Sequence, residues 1–177
     1  MKTAFALLAL ALLGTPALAQ HHGGGGHQGH SPYAGSEQRA IKALSDQQIE
    51  DLRAGRGMSL ALPAELNGYP GPLHVLDLAE QLELTQAQQQ RTQALYQEMQ
   101  REASTLGERV IESERALDAL FADGKATSEN VTETTAKAAR IQGELRAVHL
   151  KYHLHMMALL TPEQIKRYGH MRGYHGS

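Results

Sequence analysis

The sequence predicts an all-α protein built on one long antiparallel helical hairpin with short flanking helices. Three observations carry that prediction. The pentapeptide Leu-Thr-x-x-Gln occurs twice, as Leu84-Thr85-Gln86-Ala87-Gln88 and Leu160-Thr161-Pro162-Glu163-Gln164. Between the copies, apolar residues recur at three- and four-residue steps on both sides of one glycine turn, which is the helical period. No segment shows a sustained two-residue alternation that would compete as a strand.

The first 19 residues read as an export signal, with Lys2 as the positive start, Ala4 to Leu13 as the apolar run and Ala17-Leu18-Ala19 as the small-x-small cleavage site. The apolar run is too short to span a bilayer, so the expected mature protein is periplasmic and carries no membrane span. Residues 20–36 are glycine and histidine with little to bury, and are expected to be disordered. Residues 37–71 form an N-terminal extension with one short helix. Ser45-Asp46-Gln47-Gln48 is the capping box that opens it, Ile49 and Leu52 are its apolar side, and Gly55-Arg56-Gly57 ends it. Met58 to Leu66 is apolar and ambiguous, and Asn67 to Pro72 is a break rich in Gly and Pro.

The main helical domain runs over residues 72–170. Pro72 starts a helix expected to reach about Glu83. Thr85 opens the next, in which Leu95, Met99, Leu106, Val110, Leu117 and Phe121 keep to one stripe. After Asp123-Gly124-Lys125-Ala126, a second long helix shows a heptad seam through Val131, Thr134, Ala138, Ile141, Leu145, Val148, Tyr152, His155 and Leu159. The turn is short, so the two helices pack antiparallel. Folding the chain about residues 124–126 sets His149 near the level of Arg101 and His153 near Gln97. Thr161 opens a last short helix that ends near Gly169, and residues 171–177 are a flexible tail.

In both pentapeptides the threonine acts as N-cap to the amide three residues on, and the glutamine there reaches back to the threonine's own amide. Thr85, Gln88, Thr161 and Gln164 are therefore assigned as helix caps. Pro162 fits the first helical position, where a missing N–H costs nothing.

Composition excludes several functions. With 17 Lys+Arg against 19 Asp+Glu, the formal net charge is −2, and there are two Phe, six Tyr and no Trp. Neither an electrostatic footprint nor stacking platforms for nucleic acid are present. There is no cysteine, so disulfides cannot hold the fold and no thiol nucleophile exists. No zinc-protease, nucleophile-elbow or phosphate-loop motif occurs, and an enzyme is not expected.

Two patterns could bind metal. His149, His153 and Met156 span about 60° of one helix face, and His153 and Met157 form a further i, i+4 pair. Glu98 and Glu102 lie near the same level on the partner helix and could complete a shell for a Zn, Ni or Co ion. The competing reading makes His155 a seam residue, with His149 and His153 as ordinary interface side chains. The second pattern follows cleavage after Ala19. A mature terminus Gln20-His21-His22 sets His22 third from a free amine, a square-planar nitrogen set suited to Cu or Ni.

Leu150, Leu154 and Met157 fall within about 60° of one another on the side away from the seam. A dimer partner, the flanking helices or an unfolded client must meet that patch.

With its two Leu-Thr-x-x-Gln boxes enclosing a helical hairpin behind an export signal, the chain resembles the LTxxQ family of periplasmic proteins. That family includes the Spy and CpxP chaperones, zinc-resistance-associated proteins and CnrX-type heavy-metal sensors. The resemblance spans roughly Pro72 to His170. It implies a four-helix hairpin paired as a cradle-like homodimer that holds unfolded envelope proteins without ATP, or contacts a stress- or metal-signalling partner. In the sensor branch it implies a Co, Ni or Zn site of helix-borne His, Glu and Met.

Overall fold

A computed structural model describes residues 31–174. The export signal, most of the His/Gly-rich segment with His22, and His175 lie outside the described residues. Residues 31–34 form a turn of their own, and the main folded unit begins at Gly35.

That unit is all-helical among the described residues. A single 3-10 turn, Ser36–Gln38, precedes six helices: α1 Asp46–Arg53, α2 Leu62–Glu65, α3 Pro72–Asp77, α4 Gln86–Ala122, α5 Ser128–Leu159 and α6 Pro162–Met171. Helices α4 and α5 are the antiparallel hairpin, and the shorter helices pack around them. Capping boxes open four of the six, at Ser45/Gln48, Thr85/Gln88, Thr127/Asn130 and Thr161/Gln164. Each satisfies two backbone donors that a helix start leaves open. The Thr127 box extends the hairpin turn beyond residue 126. Cross-hairpin pairs such as Arg109–Glu144 and Glu102–Tyr152 accordingly place the fold-back point slightly later than residues 124–126.

The core falls into two clusters. At the end where the chain returns, Val75, Leu82, Leu84, Leu95, Met99, Tyr152, Met156, Leu160 and Tyr168 pack together, so the leucines of both pentapeptides share one cluster. Midway along the hairpin, Ile41, Leu44 and Leu52 pack against Ala103, Val110, Ile111, Ile141 and Leu145. Toward the tip the packing thins: Leu117 and Val131 are half-buried and Phe121 is 62% exposed. The apolar stripe thus outruns the core.

Two local expectations change. The helix starting at Pro72 stops at Asp77, followed by turns to Glu83, which has φ 51°. These turns allow both Leu82 and Leu84 to be buried, which a continuous helix, separating them by about 200°, would not. In α5 the buried face drifts across the strict heptad. His149, Tyr152, His153 and Met156 are buried and His155 is exposed, because an undistorted helix advances by 3.6 residues per turn, not 3.5.

The extension is held by backbone contact. Ser104 donates to the Arg53 carbonyl at 2.6 Å and Gln100 to that of Ala54 at 3.2 Å. A Cβ on Gly107 would stand 2.1 Å from the Leu52 carbonyl oxygen, whereas one on Gly143 of α5 would meet nothing within 4 Å. In a helix interior, Gly→Ala gains about 0.8–1.0 kcal/mol from propensity; overpacking against backbone costs about 1–3 kcal/mol. Gly143→Ala is therefore expected to raise the melting temperature and Gly107→Ala to lower it, as thermal unfolding followed by circular dichroism will show.

Candidate functional site

The two pentapeptides meet. Gln88 is at the third position of α4 and Gln164 at the third position of α6, and capping fixes each carbonyl toward its own threonine amide, at 3.0 Å in both cases. Their amide groups then pair reciprocally. Gln88 Nε2 donates to Gln164 Oε1 at 2.8 Å, and Gln164 Nε2 donates to Gln88 Oε1 at 3.1 Å. The remaining amide hydrogens go to the carbonyls of Leu159 and Leu82, both at 3.2 Å. One planar group per helix thus ties together α4, the end of α5, the α3–α4 turns and α6. A glutamate could cap its own helix but could not donate across the junction.

Behind this junction lies a cavity of about 420 Å³ between α5 and the extension. Met58, Ala61, Leu62, Leu73, Tyr96 and Met99 give it apolar walls, and Glu65, His149 and His153 supply the buried polar groups. Met58 and Ser59, on the segment bounding it, adopt φ of 40° and 64°, a left-handed conformation rare for side chains other than glycine. Gly71 leaves room for the His153 ring, since a Cβ there would lie 3.0 Å from it and press on it.

The His153 ring is fixed by Tyr69, whose carbonyl lies 2.7 Å from Nδ1. A carbonyl only accepts, so Nδ1 carries a proton in this contact, and in a neutral ring Nε2 is then the acceptor. Glu65 is 6% exposed and lopsided in its partners. Its Oε1 accepts from the hydroxyls of Tyr168 and Tyr174 and pairs with Arg172 Nε at 3.4 Å. Its Oε2 has no hydrogen-bond partner and lies 3.8 Å from His153 Nδ1. His149 is 2% exposed, and its Nε2 also has no partner. Burial, and then the neighbouring His153, push the His149 pKa below its ordinary value of 6.5. Burial and the Glu65 carboxylate raise that of Tyr168.

The other residues singled out from sequence are dispersed. Met156 is fully buried in the core and Met157 half-buried. Glu98 pairs with Arg91 at 3.7 Å. Glu102 accepts from the Tyr152 hydroxyl at 2.7 Å and pairs with Lys151 at 3.9 Å. Burial first, and then that bond to Glu102, move the Tyr152 hydroxyl up to about 12. His74 faces Asp77 at 3.6 Å, and the His155 ring packs edge-on against Tyr152. Among the described residues, no three His, Asp or Glu side chains stand together in a geometry that could hold a metal ion. Sequence reasoning did not find Glu65, Tyr69, Tyr168, Arg172 or Tyr174. The one available signal was Glu65, an isolated acid in the apolar run Met58–Leu66.

On the outer side of α5, Leu150 and Leu154 line an apolar groove whose other wall is Pro63, Ala64 and Tyr69, with Lys151 at its edge. Leu154 is 59% exposed, and Leu62 and Leu66 on α2 are exposed as well.

A helical hairpin closed by two interlocked Leu-Thr-x-x-Gln caps defines a class of non-disulfide, all-helical proteins. The family profile described as "LTXXQ motif family protein" matches residues 73–170, more than half of the chain. The chain belongs to that family. No curated protein and no solved structure gives a match. Among the described residues, no helix is long and apolar enough to cross a membrane.

Two outcomes test this geometry. Gln88→Glu keeps the local cap but opposes two oxygens across the junction, so urea denaturation at neutral pH should show a loss of about 1–3 kcal/mol. Part of that loss should return as acid protonates the new carboxyl and restores one donor. Separately, a histidine held neutral by the fold binds its proton more readily when unfolded. Stability from His149 is therefore full above about pH 6.5 and declines as pH falls from there toward the lower folded-state value. A pH series of denaturation midpoints should be flatter in His149→Phe.

Proposed function

We propose that the protein acts in the periplasm as an ATP-independent chaperone, holding apolar segments of unfolded proteins along the α2–α5 face. The observation that supports this most directly is the exposed apolar surface itself. Leu154, Leu66, Leu62 and Tyr69 are 59%, 58%, 45% and 37% exposed, and the groove of about 450 Å³ between α2 and α5 is walled almost wholly by carbon. An exposed apolar groove with further exposed leucines on the same short helix is the kind of surface a binding face presents. Lys151 at the rim offers a cation to acidic flanking residues of a client. A homodimer of the kind the family resemblance implies would enlarge the same surface.

Metal sensing is the weaker reading for this geometry. It would require Glu98 to leave Arg91, Glu102 to leave Tyr152 and Lys151, and Met156 to leave the core.

Leu154→Ser combined with Leu150→Ser tests the chaperone reading. Substitution at solvent-facing Leu154 changes stability by about 0.5 kcal/mol or less and half-buried Leu150 adds a somewhat larger loss, so the melting temperature should fall only modestly. Suppression of aggregation of a chemically unfolded client, followed by light scattering, should need several-fold more of the double variant. Equal suppression by variant and parent would remove this face as the client site.

A further inference from the structure

The cavity beside α5 holds more unsatisfied hydrogen-bonding capacity than any other place among the described residues. The two buried side-chain atoms without a partner, Glu65 Oε2 and His149 Nε2, belong to residues that line it. Such atoms are rare in folded proteins, and each costs about 1–3 kcal/mol if left unmet. The third polar residue, His153, commits its Nδ1 proton to the Tyr69 carbonyl, which makes Nε2 the acceptor of the neutral ring. Glu65 Oε2, and Nε2 of each imidazole in its Nδ1–H form, are therefore acceptors open to a ligand that brings donors.

Charge narrows the class of ligand further. The donors to Glu65 all gather on Oε1, namely Tyr168, Tyr174 and Arg172. Its other oxygen faces none of them. Arg56, which also borders the cavity, is paired with Asp51, and His149 is held toward its neutral form by burial. Arg172, which also lines the cavity, is paired with Glu65 through Oε1, so the carboxylate oxygen left without a partner is Oε2. The rest of the wall is Met58, Ala61, Leu62, Leu73, Tyr96 and Met99, a surface for hydrocarbon. Strain at Met58 and Ser59 along the same edge is the backbone feature that ligand clamps retain.

We propose that this cavity binds a primary alkylammonium group, its N–H donors turned to Glu65 Oε2, His153 Nε2 and His149 Nε2, and its aliphatic chain laid along the methionine and leucine wall. An ammonium carries three donors and no acceptor, which complements this set. A carboxylate or phosphate would bring a like charge to Glu65, and the two guanidiniums that also line the cavity, Arg56 and Arg172, are already paired with Asp51 and Glu65. The cavity shares no lining residue with the Leu150/Leu154 groove on the outer side of α5, so variants in that groove and variants at His149 separate client binding from amine binding.

The test is calorimetry on the full chain with n-hexylammonium chloride, against n-hexanol and hexanoate as chain-matched controls. Hexylammonium should bind at least tenfold more tightly than hexanol, and hexanoate should not bind. His149→Phe keeps the buried position apolar and should weaken the amine at least fivefold. Glu65→Gln should weaken it more, and if that variant does not fold, His149→Phe carries the test alone. Long-range proton–nitrogen spectra of the histidine rings should show Nε2 of His149 and His153 shifting on titration. Equal binding of hexanol, unchanged affinity in His149→Phe, or stoichiometric binding of Zn(II) alone with no response to the amine would each overturn the proposal.

Discussion

The reciprocal amide pair of Gln88 and Gln164 is the constraint on which the closed end of this molecule depends. Each amide has two hydrogens and one strongly accepting oxygen, and all are used: two bonds across the pair, two to main-chain carbonyls and two from threonine amides. Because Gln164 is only 9% exposed, any oxygen or hydrogen released there would be left without water. The arrangement is cooperative, since moving α6 breaks the cap geometry of α4 as well. It also explains why the boxes carry glutamine, when a capping box alone accepts glutamate equally well.

A second polar centre, around Glu65, does for the extension what the glutamine pair does for the hairpin. Glu65 comes from α2, Tyr168 from α6, and Arg172 and Tyr174 from the chain just beyond it. The beginning and end of the described fold are thereby joined through one buried carboxylate, beside the His153–Tyr69 bond. Burying a charge is costly unless it is met by donors, and three donors on one oxygen offset that cost while leaving the other oxygen free. The extension consequently forms one wall of the cavity and one wall of the outer groove. The hairpin alone would have neither.

Legibility in the sequence followed the range of each interaction. The hairpin, its turn and the local caps rest on spacings of three, four and seven residues, and such spacings are visible in a string. The Thr127/Asn130 box has the same form but was hidden by the glycine turn immediately before it. Pairing of Gln88 with Gln164 spans most of the domain and depends on the angle at which α6 enters, which no spacing encodes. Likewise Glu65 meets Tyr168 across a separation of 103 residues. The assignment of His155 to the seam and the exposure of Phe121 show a limit of pattern extension. A heptad continued over 32 residues of α5 accumulates phase, and an apolar residue near a hairpin tip has too few neighbours to be buried. His149 and His153 could be singled out by type and spacing, while the partners that define their chemistry came from the segment least readable in the sequence.

The thinning of the core toward residues 117–131 has an architectural consequence. The first hydrophobic cluster, the glutamine pair and the Glu65 centre sit at the end of the hairpin remote from its turn, and the second cluster reaches only to Val110, Ile111 and Ile141, so the segment beyond is a cantilever whose order is borrowed from its base. Matched insertions or deletions of whole heptads in its two arms preserve every interaction that closes the fold. The reach of the hairpin can thereby be lengthened or shortened while its base stays the same.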